Sequence, residues 1–164
     1  MGFDNIAVQL FYTNFIFLNP RLIRKSKVIN AVYNLFLMYK GLINDTVDLI
    51  KKLDKQNKIK FIINYGSFAN NTFHNGSDID LCIYYEGSVK ERSEFRLKVL
   101  SQVNDIFDIH IFQDLPLYIR ASVLKGRILY CKDKAIYDIF RGTIQDYDDY
   151  KRGYYDYINM EKIQ

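Results

Sequence analysis

Ile59-Lys-Phe-Ile-Ile-Asn-Tyr-Gly-Ser67 is the most informative stretch of this sequence, and Asp78-Ile79-Asp80 follows it after ten residues. Its first seven residues are rich in β-branched and aromatic side chains, which predicts a strand that ends at Gly66. A second strand is predicted over residues 79–85. Because Asp78 and Asp80 lie two residues apart, alternation along that strand places both carboxylates on one face and Ile79 on the other.

A third predicted strand, residues 106–112, supplies another acid, Asp108. If this strand lies beside the second one, the carboxylates of Asp78, Asp80 and Asp108 converge. Carboxylates gathered on one face repel each other unless a cation lies between them. Mg²⁺ prefers oxygen ligands and completes its shell with water and substrate phosphates. The sequence therefore predicts that these three acids bind two Mg²⁺ ions and act as the catalytic residues.

Asp108 has the most specific predicted role, because it is the natural ligand of the catalytic ion and can help to deprotonate an acceptor hydroxyl. Asp105 competes for this assignment, but it is out of phase with that strand face and is expected to close the preceding helix. His110 shares the face of Asp108 and is expected to support the site rather than to catalyse.

The Gly66-Ser67 turn is the predicted binding site for a phosphate group. Glycine lets the backbone approach a phosphate closely. A helix that begins at this turn would offer free N–H groups to the anion, and the Ser67 hydroxyl adds a donor. The turn would then hold a triphosphate, and the strands opposite it would hold the metal.

Helical patterns surround the predicted strands. Apolar residues recur at helical spacing over residues 5–18 and 27–43, with Gly41 as a predicted break and Asp45 as the cap of a third helix. Further helices are predicted over residues 88–104, 116–125 and 133–158, and a short strand over 127–131. The chain is therefore expected to be an α+β protein with a mixed sheet flanked by helices.

Tyrosines and aspartates alternate along the last predicted helix. Tyr147, Tyr150, Tyr154 and Tyr157 recur at spacings of three and four residues, among several aspartates. Two interpretations remain open. The tyrosines pack the helix onto the domain, or they form a surface for a basic protein partner.

Composition restricts the class of protein without defining its function. The length of 164 residues suits one compact domain. The net charge of +4 is compatible with an anionic ligand. Cys82 and Cys131 are expected to be free thiols, and neither a signal peptide nor a membrane span is found, so a cytoplasmic location is predicted. The basic residues 21–27 lack the interleaved aromatic residues of an RNA-binding module, and direct nucleic-acid binding is not expected.

These residues resemble the polymerase-β-like nucleotidyltransferase superfamily, and in particular its minimal, MNT-type members. Those proteins carry Gly-Ser, ten residues and Ser-Asp-Ile-Asp-Leu, as Gly66, Ser67 and residues 77–81 do here. Ser77 is thereby assigned to nucleotide binding together with Gly66 and Ser67. The resemblance covers residues 45–158. It divides the chain into a helical extension, 1–44, and a nucleotidyltransferase domain, 45–164.

The resemblance implies transfer of a nucleoside monophosphate, commonly AMP from ATP, with Mg²⁺ as cofactor. It also implies a partner, because MNT-type proteins serve as antitoxins of HEPN ribonuclease toxins and some transfer AMP to a tyrosine of the toxin, as a type VII-like system does. Asn70-Asn71 stands where the family often has Arg-Gly, which removes a bidentate phosphate ligand. Two alternatives stay open: an antitoxin that only masks its toxin, and a transferase for an aminoglycoside-like small molecule.

Overall fold

The computed structural model describes residues 27–66 and 78–161. Within these residues the chain forms four α-helices and a four-stranded sheet. In chain order the elements are α1 (Lys27–Leu53), β1 (Ile59–Tyr65), β2 (Ile79–Tyr85), α2 (Val89–Leu100), β3 (Phe107–Ile111), α3 (Leu117–Val123), β4 (Arg127–Cys131) and α4 (Ala135–Glu161). The predicted α+β class and mixed sheet are confirmed.

The sheet has the strand order β3-β2-β1-β4. β1 pairs with β2 and with β4 in antiparallel fashion, whereas β2 and β3 are parallel. Because a parallel pair needs a crossover connection, α2 links β2 to β3. Its start is fixed by a capping box in which the Ser88 hydroxyl accepts from the Glu91 N–H and the Glu91 carboxylate accepts from the Ser88 N–H.

Different helices pack on the two faces of the sheet. We call the first the apolar face; it includes Ile79, Leu81 and Ile109, and α1 and α2 pack on it through residues such as Ile50 and Val99. The opposite face carries a smaller apolar cluster covered by α3 and α4, with buried residues Phe61, Ile63, Cys82, Phe112, Val123 and Ile136. That second face is the one that also carries the acids, and we call it the acidic face.

The predicted break at Gly41 is wrong, because α1 continues without interruption from Lys27 to Leu53. Asp45 therefore lies inside this helix rather than capping a new one. A glycine inside a helix costs only about 1 kcal/mol relative to alanine. Apolar contacts of Ile43, Val47 and Ile50, which follow Gly41, offset that cost. The helix also crosses the proposed boundary between residues 44 and 45, so that division remains a prediction.

Several sequence-based expectations fall on residues that the structure does not describe. These are the helix predicted over residues 5–18, most of the basic segment 21–27, and Ser67, Asn70, Asn71 and Ser77. Among the described residues both cysteines are free, with Cys82 buried and Cys131 exposed, as expected. No helix in the described ranges has the length and apolar character to cross a membrane.

We expect Gly41→Ala to stabilise the protein by about 0.5–1 kcal/mol, because alanine favours a helix interior. A Cβ at position 41 would meet no atom within 4 Å, so the substitution adds no clash. Urea denaturation of both proteins measures the difference.

Gly126→Ala is the control with the opposite sign. A Cβ at position 126 would overlap the Asn64 carbonyl oxygen, and crowding of this kind costs roughly 1–3 kcal/mol. A loss of stability in Gly41→Ala would contradict the continuous helix.

Candidate active site

Strand pairing brings two of the predicted acids together. Asp80 on β2 lies directly beside Asp108 on β3 in the parallel register. Their neighbours Ile79, Leu81 and Ile109 are fully buried on the apolar face, so alternation directs both carboxylates to the acidic face. One ligand atom each from Asp80, Asp108 and His110 lie within 4.8 Å of one another. The convergence predicted for Asp80 and Asp108 is therefore present.

His110 is more closely involved than the sequence indicated. Its Nε2 lies 2.9 Å from Oδ2 of Asp108, within hydrogen-bonding distance, and its ring contacts the Tyr65 ring edge-on at a centroid separation of 6.1 Å. The i, i+2 spacing of Asp108 and His110 placed both on one strand face. It could not show that the two side chains bond to each other, because that depends on rotamers.

Asp78 occupies a different position from the other two acids. It lies exposed just before β2, and it does not belong to the group of three ligand atoms within 4.8 Å. Its charge is nevertheless close enough to raise the pKa of Asp80. Asp105 is exposed in the turn before β3, off the face of Asp108.

The surroundings of Asp80 disfavour the charged form of its side chain. Partial burial raises its pKa above the usual range, and the charges of Asp108 and Asp78 raise it further, while His110 lowers it. A cation beside Asp80 and Asp108 would remove this repulsion. Carboxylate oxygens at half-buried positions that retain solvent access are suitable donors for a hard divalent cation.

Gly66 fits against the Asp80 carboxylate where β1 ends. Its φ of +73° lies in the left-handed region that favours glycine. A Cβ at this position would overlap Oδ2 of Asp80. Both observations favour glycine here, and the absence of a side chain lets the Gly66 backbone lie against the Asp80 carboxylate.

Two residues of β1 complete the surroundings of the acids. Asn64 is buried, and its Nδ2 donates to the Asp80 carbonyl oxygen at 3.1 Å, which fixes the start of β2. Tyr65 is half-buried; burial raises the pKa of its phenol, and Cys82, Asp80 and Asp108 raise it further, so the side chain remains a neutral hydrogen-bonding group. Neither role could be predicted from the sequence, in which both residues are simply parts of a strand.

Comparison with known proteins gives matches over this same region. The family described as polymerase beta, nucleotidyltransferase matches residues 47–135. A Methanocaldococcus jannaschii protein named as a candidate protein adenylyltransferase is 36% identical over 69 residues, which are 42% of this chain and 52% of that protein. The chain thus matches about half the length of this curated relative.

Solved structures with a similar fold are chains of toxin–antitoxin complexes. One, crystallised with AMP-PNP, has a TM-score of 0.57 at 19% identity over 71% of this chain and 95% of its own. Another is the complex of the tri-AMPylated Shewanella oneidensis HEPN toxin with an MNT antitoxin, with a TM-score of 0.52 at 18% identity over 70% and 93%. Such low identity establishes the fold alone.

The family match extends over just over half of the chain and includes β1 to β4, Gly66 and the pair of acids. It agrees with the fold and with the family indicated by the Gly-Ser and Asp-Ile-Asp spacing. This chain belongs to the polymerase β nucleotidyltransferase family.

Proposed function

We propose that this chain transfers AMP from ATP to a hydroxyl group of a protein, and that this protein is a HEPN ribonuclease toxin. The observation that carries the proposal is the group formed by Asp80, Asp108 and His110 beside the Gly66 turn. In this proposal the chain is an enzymatic antitoxin of the cytoplasm, and the acceptor group is a tyrosine of the toxin.

Mg²⁺ is the proposed cofactor, held by Asp80 and Asp108, with Asp78 as a further ligand. Burial and the charge of Asp108 both raise the Asp80 pKa. They support this assignment, because a site that disfavours a second anion favours a cation. When bound, the metal would neutralise charge on the phosphates and on the leaving pyrophosphate. His110 holds the Asp108 carboxylate in one orientation through their 2.9 Å contact.

Asp108 is the proposed proton acceptor. The acceptor hydroxyl loses its proton to Asp108 as its oxygen forms a bond to the α-phosphorus of ATP. The bond from that phosphorus to the bridging oxygen breaks, and pyrophosphate leaves with the electron pair.

Gly66, Ser67 and Ser77 are the proposed nucleotide ligands. The support comes from Gly66, whose missing side chain leaves the backbone close to Asp80. A triphosphate held at this turn lies next to the acids, so binding and chemistry share one end of the sheet.

The names of similar proteins support a protein acceptor. One solved complex contains an AMPylated HEPN toxin with an MNT antitoxin, and the archaeal relative is named for protein adenylyltransfer. A second candidate is an antitoxin that binds and masks its toxin without catalysis. The Asn70-Asn71 pair favours this alternative, since it replaces a family arginine that would bind phosphate.

We expect Mg²⁺ to stabilise the protein through Asp80. At about ten times its Kd, a ligand adds roughly 1.4 kcal/mol to stability, which is a Tm rise of about 3–6 °C at this chain length. Without divalent cations, Asp80→Asn should melt above the wild-type protein, because it removes a partly buried repulsion, and it should lose most of the Mg²⁺ effect. Differential scanning calorimetry measures both.

Asp105→Asn is the matched control, since this exposed aspartate lies outside the group, and it should keep the Mg²⁺ effect. The pH dependence gives a second check. Because the pKa of Asp80 is raised in the folded state, the stability of the wild-type protein falls as pH rises through the carboxylate range. The Tm advantage of Asp80→Asn should therefore shrink as pH falls through that range and be lost below about pH 4, near the pKa of an unperturbed aspartate. An unchanged Mg²⁺ response in Asp80→Asn would exclude Asp80 as a ligand.

We expect Asp108→Asn to reduce transfer by roughly 10²-fold or more, because it removes the proton acceptor. The assay incubates the chain with α-labelled ATP, Mg²⁺ and the product of the adjacent gene, and follows label on that protein. Asp105→Asn again serves as the control and should transfer normally.

The same assay separates the two candidate functions. If the wild-type chain and Asp108→Asn neutralise the partner equally and neither transfers label, the masking antitoxin is the correct function. Transfer to an aminoglycoside instead of a protein would favour the small-molecule alternative.

A further inference from the structure

The tyrosines of α4 continue the helix face that packs on the sheet. In the first part of α4, Ile136, Phe140 and Thr143 face the acidic side of the sheet and are buried or partly buried. Tyr147, Tyr150 and Tyr154 follow Thr143 by four, seven and eleven residues. At these spacings, side chains on an ideal helix lie on the same face as Thr143. We call these three residues the tyrosine stripe.

The helix is longer than the sheet it packs on. Its 27 residues span about 40 Å, whereas the seven residues of β1 span about 23 Å. The stripe therefore extends beyond the apolar cluster, with Tyr150 54% exposed and Tyr154 51% exposed. The two rings stack on each other at a centroid separation of 6.3 Å. The exposure of Tyr150 and Tyr154 favours the second interpretation, in which these tyrosines form a surface for a protein partner.

Acidic residues flank the stripe. Asp146, Asp149 and Asp156 follow helical spacings of three and seven residues, which align them along one side of the tyrosines. The only bases between residues 146 and 157 are Lys151 and Arg152, and ion pairs within the helix connect them to Asp148 and Asp149. Four acids and two bases give this segment a net charge of −2 in a chain of +4.

The start of α4 lies on the acidic face of the sheet. β4 runs antiparallel to β1 and ends beside Phe61, near the end of the sheet opposite Tyr65 and the acids. α4 begins there and packs on the acidic face, where Phe140 contacts Phe61 at a centroid separation of 5.7 Å. The family match ends at residue 135, where α4 begins.

We propose that the distal half of α4 is the docking surface for the protein that accepts AMP, and the identity of this occupant rests on the function proposed above. Tyr150 and Tyr154 would enter an apolar patch of that protein, and Asp146 would face its lysines or arginines. Tyrosines are suitable anchors because they bury a large area with few rotatable bonds. The acidic flank selects a basic partner and disfavours a second copy of this positively charged chain.

The test compares binding of the adjacent gene's product to wild-type chain and to the double variant Tyr150→Ser/Tyr154→Ser by isothermal titration calorimetry. We expect affinity to fall at least tenfold, since loss of a single aromatic anchor commonly has about that effect. Asp146→Lys should also weaken binding and reduce its dependence on salt. Both substituted tyrosines are exposed, so the fold should be retained, as circular dichroism can verify.

Tyr137→Ser is the matched control, because Tyr137 is 71% exposed on the same helix but lies off the stripe. It should bind like the wild-type chain, and every α4 variant should keep the wild-type Tm response to Mg²⁺. Equal affinity of the wild-type and double variants, or no binding to the wild-type chain, overturns the proposal. A wild-type chain that sediments as a dimer while the double variant is monomeric overturns it as well, because a second copy is then the occupant.

Failure of this proposal and failure of the proposed function give different results. If label transfer depends on Asp108 but stripe variants bind and react normally, transfer stands and the docking surface is rejected. If the partner binds through Tyr150 and Tyr154 but receives no label, the docking surface stands as the interface of a masking antitoxin.

Discussion

The parallel pairing of β2 with β3 places two carboxylates side by side, and much of the surrounding structure offsets the repulsion between them. Asp80 and Asp108 occupy paired positions in the register. On the other side of the same strands, Ile79, Leu81 and Ile109 are fully buried. Each such side chain contributes roughly 1.5–3 kcal/mol through burial, which is enough to hold the strands in a register that the acids alone would oppose.

The end of β1 limits how the acids can move. Asn64 donates to the Asp80 carbonyl oxygen, and the antiparallel pairing of Tyr65 with Asp80 continues that constraint. Gly66 then turns the chain against the carboxylate at a φ that few other residues adopt. The acids are therefore held from two sides, by β3 and by β1. Such preorganisation favours a bound cation, because the ligands need not be brought together at the moment of binding.

Most of the sheet could be predicted from the sequence because it follows local rules. The period-two alternation of β2 and β3 identified the buried face and the acids. This prediction needed only the identities of residues that are neighbours in the sequence. The continuity of α1 through Gly41 could not be predicted from the sequence. It depends on tertiary contacts of Ile43 and Val47, which override the local preference of one glycine. The bond between His110 and Asp108 likewise depends on rotamers that the pattern leaves open.

The tyrosines of α4 show a different limit of sequence reasoning. An apolar stripe at helical spacing has the same pattern whether it packs on its own sheet or on another protein. The deciding quantity is the length of the helix relative to the sheet, and here the last turns of a 27-residue helix lie past the sheet's apolar cluster. The strands, Gly66 and the acid pair belong to the part shared with the family, whereas α4 begins where the family match ends. Because nearly all of α4 lies outside the matched segment, its surface can change without disturbing the register that holds Asp80 beside Asp108.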